Sequence, residues 1–139
     1  MAKNTLILDA GENGIIGDMV VTNVNDVPVE LLVEGEGPVL RGKHIIRAED
    51  ANTPSLKIYY MITCMYINPG SFEQNYKSLL KLSRELVTEV PSTGMIMADI
   101  GECLIDNDLR GAHEKCFELL RYEAYLEQVV ADGHGGKNA

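Results

Sequence analysis

From Leu56 to Tyr66 the chain reads LKIYYMITCMY, and Lys57 is its only charged residue. Thr53 and Pro54 stand just before it. A threonine hydroxyl can cap the first free amides of a helix, and a proline fits the first helical position, where its missing N–H costs nothing. Asn68-Pro69-Gly70 ends the run. The spacing predicts a helix from Pro54 to about Ile67 that is apolar on nearly every face. Such a helix must be buried on most sides, so the rest of the chain, or a second copy, has to enclose it. At about half of the roughly 20 apolar residues that span a bilayer, the nearly apolar stretch 58–67 is too short to cross a membrane.

The cover is legible on both sides of that helix. Before it come short β-rich runs separated by turn residues: Thr5–Leu8, Ile15–Val24 with a bulge or kink at Gly17-Asp18, Val29–Val33 after Pro28, and Val39–Ile46 after Gly35-Glu36-Gly37-Pro38. Four such strands predict a small antiparallel sheet, curled or barrel-like, that needs cover on one face. After the central helix, Ser71 reads as the cap of a second helix. Its Phe72, Tyr76, Leu79, Leu86 and Val90 recur at three- and four-residue steps up to Pro91. A shorter helix over Met95–Ile105 and a long one over Leu109–Val130 follow. The fold class is therefore α+β. A β lobe over 1–47 precedes a bundle of about four helices over 48–130, with a disordered tail at 131–139, the whole forming one compact domain, as expected of 139 residues.

Charge narrows the function. The formal net charge is −9, which generally repels polyanions, so a nucleic-acid surface would have to be local. Residues 40–48 contain no acid and hold Arg41, Lys43, His44 and Arg47. On a strand, alternation sends Arg41, Lys43 and Ile45 to one face and His44 to the other, unless a bulge at Gly42 gathers them. Charged residues also protect an exposed sheet edge from aggregation, and spacing alone does not separate the two roles. Lys77, Lys81 and Arg84 share a helix face that could touch phosphates, but they read better as a solvated face paired with Glu73 and Glu85.

Nothing in the residues assembles a catalytic or metal site. Gly11, Gly14 and Gly17 lack the dinucleotide fingerprint and lead into a strand, where a phosphate-cradling helix would be needed. His113-Glu114 lacks a second histidine, and Asp106-Asn107-Asp108 lacks the glycine and distal glutamate of a calcium loop. Cys64, Cys103 and Cys116 are odd in number, unpaired in spacing and set in apolar helical stretches, where a thiol packs as a small hydrophobe. The expectation is a protein with no enzyme activity, no metal and no cofactor. MAKNTLIL lacks the long apolar region of a secretory signal, which points to the cytoplasm and away from membranes.

The order and spacing of many small features resemble the FlbT family, the flagellin regulators of alphaproteobacteria. They are Leu6 and Leu8 before Gly11-Glu12, Gly17 with Val20-Val21, Val39-Leu40-Arg41 with Lys43 and Ile45, Thr53-Pro54, Ile58-Tyr59, Met65-Tyr66, and Arg121 with Glu123. The resemblance covers about residues 5 to 125. It implies post-transcriptional control of flagellum biogenesis through the 5′ untranslated region of flagellin mRNA, promoting its decay in some members and acting positively in others, with no catalysis of its own. A fainter resemblance, over about residues 5 to 47, is to the strand pattern of the carbon storage regulator family of mRNA-leader-binding proteins. It puts Arg41 at that family's RNA-contacting arginine, but Asp9-Ala10 stands where that family carries Thr-Arg.

These resemblances make Arg41, Lys43, His44, Arg47 and Lys57 the candidate RNA-binding residues and a flagellin mRNA leader the expected partner. The chain departs from the FlbT pattern at Val27-Pro28, where members commonly carry arginines, and at Ser55-Leu56, where only Lys57 remains of a basic pair. Lost positive charge leaves room for a second reading. In it, the helical lobe holds flagellin or another flagellar regulator through protein contacts, using the Met-rich stretches with Met61, Met65, Met95 and Met97. A homo-oligomer is expected under either reading, because a small sheet leaves an edge free to pair.

Overall fold

The computed structural model describes residues 3–137 and has the α+β architecture expected of the sequence. Five strands come first: β1 (Lys3–Leu8), β2 (Asn13–Ile16), β3 (Met19–Thr22), β4 (Val29–Glu34) and β5 (Val39–Arg41). Four helices follow: α1 (Pro54–Ile67), α2 (Phe72–Glu89), α3 (Gly94–Ile105) and α4 (Leu109–Lys137).

The strands form two small antiparallel sheets instead of one, β1 with β4 and β3-β2-β5. The run expected as a single kinked strand, 15–24, is a hairpin. Gly17 takes φ +64°, the left-handed conformation that the first residue of a tight type II′ turn requires, and Ile16 faces Met19 across it. The last strand stops at Arg41, not Ile46, because Gly42–His44 coil into a single 3₁₀ turn. Gly42 is pressed so closely on the Asn13 carbonyl that no side chain fits there. β1 alternates as a half-buried strand should, with Asn4, Leu6 and Leu8 inward and Lys3, Thr5 and Ile7 outward.

Helix α1 is the centre. Ile58, Tyr59, Ile62 and Met65 are almost wholly buried, and Leu79, Leu86, Ile100, Leu104, Ala112, Cys116 and Leu119 close around them. Its start is built as the sequence suggests, with Thr53 Oγ1 accepting from the Leu56 amide at 3.1 Å and Pro54 in the first turn. Ser71, expected to cap α2, does something else: its hydroxyl donates to the Asn68 carbonyl at 2.7 Å and lies 3.4 Å from that of Cys64, closing the end of α1. Helix α4 is helical in its backbone to Lys137, past the Val130 end expected, and Gln128 reaches Asp132 one turn on at 3.0 Å. Of the tail expected over 131–139, Asn138 and Ala139 lie outside the described residues. No described helix is long and apolar enough to cross a membrane.

Asn23 has no counterpart in the sequence reading. Buried in the loop between β3 and β4, it donates from Nδ2 to the carbonyls of Leu8, Asp9 and Val27 at 3.1, 3.1 and 2.8 Å and accepts the Asn25 amide at 3.0 Å. One side chain ties both ends of the loop to the end of β1.

Candidate functional site

The acid-free stretch of sequence is not free of acids in space. The turn after β1 brings Asp9 and Glu12 onto the end of β5. Arg41 donates from Nη2 to Glu12 Oε1 at 2.7 Å and from Nε to Glu12 Oε2 at 3.3 Å, and its Nη2 lies 3.2 Å from Asp9 Oδ2. Glu12 also accepts the amides of Asp9 at 2.8 Å and Lys43 at 3.3 Å. The guanidinium and these amides hold the Glu12 carboxyl down at about 2 against the opposing effect of burial, and the carboxylate in turn raises the Arg41 pKa. Two-point pairing of this kind is geometrically specific. Arg41 is thus a structural tie between the strand ends, with its charge already met.

The other four candidates are placed differently. Lys43 is exposed, with Nζ 4.0 Å from Asp9 Oδ2. Arg47 is exposed too and, among the described residues, pairs only with its neighbour Glu49, at 3.5 Å, a pairing that surface solvation leaves weak. His44 turns inward. Its ring packs on Phe117 of α4 with centroids 4.9 Å apart, and burial, followed by the charges of Arg41 and Lys43, lowers its pKa. At neutral pH it is an aromatic surface and not a cation. Lys57, exposed on α1, borders a different groove of about 360 Å³ with Tyr60, Met61 and Cys64.

What the sequence did not reveal is a cleft that two of these residues, Arg41 and His44, help to line. It has a volume of about 240 Å³ and opens between β1, β5 and α4, with Arg41, His44, Phe117, Arg110 and Glu114 on its walls and His113 at its inner side. Arg110 and Glu114 pair at 3.3 Å across one turn of α4. Pairing of His113, Phe117 and Arg110 at helical spacing was available as a signal, since they share a face of α4. The facing strands were not.

His113 is the buried member. Thr63 donates its hydroxyl hydrogen to the Tyr59 carbonyl at 2.8 Å, so its oxygen can only accept from His113 Nε2, 3.1 Å away. This fixes the neutral tautomer with hydrogen on Nε2. Burial, with a smaller contribution from His44, pushes the pKa of His113 down to about 4. Tyr59 packs beside it at 5.0 Å, and the Tyr59 hydroxyl donates to the His44 carbonyl, tying the 3₁₀ turn to the central helix. Among the described residues no three His, Cys, Asp or Glu side chains gather as metal ligands. Cys116 lies in the core, where burial drives its thiol up to about 12, and Cys64 and Cys103 are half-buried.

The methionines expected to present an apolar surface mostly do not. Met65 and Met97 are buried, Met61 is half-buried, and Met95 is exposed. Exposed apolar side chains occur on both halves, at Met19, Val20, Val24, Val27 and Leu32 among the strands and at Met95, Ile105 and Tyr125 on the helices.

Comparison with known proteins finds no solved structure that matches. A protein of Bradyrhizobium diazoefficiens named "Probable flagellum biosynthesis repressor protein FlbT 1" is 36% identical over 116 residues, 83% of this chain and 78% of that one. One of Rhodopseudomonas palustris, named "Probable flagellum biosynthesis repressor protein FlbT", is 31% identical over 117 residues, 83% of this chain and 90% of its own. The family model described as "Flagellar protein FlbT" matches residues 5–126, so the match runs from β1 through the cleft and well into α4, and the chain belongs to the FlbT family.

Proposed function

We propose that this protein is a non-enzymatic regulator of flagellum biogenesis that binds the 5′ untranslated region of flagellin mRNA at the cleft between the β lobe and α4. The regulatory role follows from family membership and from the relatives named as flagellum biosynthesis repressors. The cleft itself carries the RNA reading. Single-stranded RNA is recognised by bases splayed onto aromatic rings and guanidinium planes, and here Phe117 and His44 stand beside Arg110 and Arg41. At about 240 Å³ the space falls below the roughly 300–1,000 Å³ of pockets for drug-sized ligands and suits one unpaired base. Lys43, Arg47 and Arg110 would meet the flanking phosphates, and Lys57, beside a separate groove on α1, one farther along the strand of RNA.

The test is a titration of purified protein against the flagellin leader across salt. If about four phosphates are neutralised, the slope of log affinity on log salt is about −3, a loss of about fiftyfold between roughly 50 and 200 mM. No measurable binding at low salt, or a slope near zero, overturns the reading.

A second reading, in which the protein holds flagellin or another flagellar regulator and acts on the message indirectly, is favoured by one observation. Val20 and Val24 are 71% and 88% exposed on the β lobe, apolar side chains that a protein partner could cover. Capture of flagellin that survives high salt and persists in an Arg47→Ala/Lys43→Ala variant supports this alternative.

A further inference from the structure

Strand β4 is hydrogen-bonded to β1 along one edge, and among the described residues no strand lies along the other. Every second residue of β4 therefore presents its N–H and C=O outward, unpaired. Proteins usually blunt such an edge with charge, proline or a bulge. Glu30 and Glu34 do so on one face of β4, but the other face offers Val29, Leu31 and Val33. Leu31 is 38% exposed and Leu32, on the opposite face, 64%. We propose that this edge is an interface on which a second copy of the chain lays its own β4 antiparallel, about a twofold axis through Leu31.

The register identifies the occupant. Leu6 and Leu8 of β1 are buried, and Leu31 and Val29 stand opposite them, so the odd-numbered side of β4 faces the core. A continuous sheet must keep both odd sides together, because a one-residue slip would turn the second copy's strand inside out. The twofold axis then has to pass through a residue. An axis through Leu32 sets Glu30 against the second copy's Glu34, twice. One through Glu30 or Glu34 sets that glutamate against itself, and one through Val33 sets Glu30 against Glu36. An axis through Val29 leaves the strands overlapping at that one residue.

Among the registers with no two acids opposed inside β4, the axis through Leu31 pairs the most of the strand, and it opposes acids only beyond the strand ends, Asp26 to Glu36. It pairs Leu31 with itself, Val29 with Val33, Glu30 with Leu32 and Glu34 with Pro28. The strand is self-complementary in one register, which is the requirement of an isologous contact. The result is a four-stranded sheet, β1-β4-β4-β1, in which the free edge of each β4 is satisfied and β1 forms the two outer edges.

Salt separates this contact from RNA binding. Each copy carries a net charge of −9, so the two repel at long range and added salt screens the repulsion. Dimerisation should strengthen with salt while phosphate contacts weaken.

The experiment is light scattering on the purified full chain over a dilution series at low and high salt, followed by oxidation of two cysteine variants. The expected result is a concentration-dependent dimer, favoured by salt. In it Leu31→Cys forms an intermolecular disulfide, whereas Leu32→Cys does not, because diagonal positions lie about 7–8 Å apart and bridging fails beyond roughly 7 Å between Cα atoms. The unsubstituted chain, oxidised alongside, accounts for Cys64, Cys103 and Cys116. Leu32→Glu, which places a second acid beside Glu30, should yield a monomer with unchanged helical circular dichroism. A monomer at every concentration and salt overturns the proposal. So does a dimer that links through Leu32→Cys but not Leu31→Cys, or one that Leu32→Glu leaves intact.

Discussion

Glu12 grips Arg41 at two points, Oε1 to Nη2 at 2.7 Å and Oε2 to Nε at 3.3 Å, and so fastens the turn after β1 to the end of β5. The pair is part of the scaffold that presents the neighbouring cations. Glu12→Gln should lower stability by about 1–3 kcal/mol, since it leaves a largely enclosed guanidinium without its counter-charge. The sign with pH is fixed by the depressed carboxyl. Its stabilising effect is complete above the unfolded value of 4.5 and is lost as pH falls toward the folded value of about 2. Urea denaturation at stepped pH should show this acid-limb loss in the native chain and not in Glu12→Gln.

His113 governs a higher window. Its folded pKa, about 4, lies below the ordinary 6.5. The unfolded chain therefore takes up the proton first, and stability falls as pH drops from about 6.5 to 4. The loss should be up to about 3 kcal/mol, two to three pH units at 1.36 kcal/mol each. His113→Gln, which keeps a donor for Thr63, should flatten that part of the profile in the same denaturation series.

Asn23→Ala removes three donated bonds and one accepted bond at once and leaves carbonyls at the end of β1 without partners. A loss of about 2–3 kcal/mol is expected from the unsatisfied groups. Asn23→Asp should be nearly as harmful, because a carboxylate cannot donate to the Leu8, Asp9 and Val27 carbonyls. Thermal melts of the two variants check this.

At the cleft, stacking and charge should come apart. Phe117→Leu should weaken leader binding by about 1–3 kcal/mol, the usual value of one base on one ring, with the salt slope unchanged. Arg47→Ala should instead reduce the slope by about 0.7, one phosphate contact on a single strand. Fluorescence anisotropy with a labelled leader across salt measures both.

The helical half was legible because its signals are local. Thr53-Pro54, Asn68-Pro69-Gly70 and the apolar periods lie within a few residues of the structure they specify, and the burial of α1 follows from its lack of a polar face. The β half was only partly legible. A hairpin at Gly17-Asp18 and a kink there look alike in sequence, and the early stop at Arg41 depends on the approach of Gly42 to Asn13, residues far apart in the chain. The candidate site suffered most from the same cause. Arg41 looked like a free cation because Asp9 and Glu12 are about thirty residues away, and His44 looked like a cation because Phe117 is more than seventy residues away. Acid-free in sequence did not mean acid-free in space.

The Tyr59 hydroxyl on the His44 carbonyl gives the short turn between Arg41 and Arg47 a fixed anchor on the most buried helix of the protein. Side chains carried on a mobile loop would have to be immobilised when a ligand arrives, at about 0.5–1.5 kcal/mol for each. Here the Tyr59 contact restrains the backbone that bears Lys43. A ligand that meets that surface then has the exposed side chains of Lys43 and Arg47 to order, and less of the backbone beneath them.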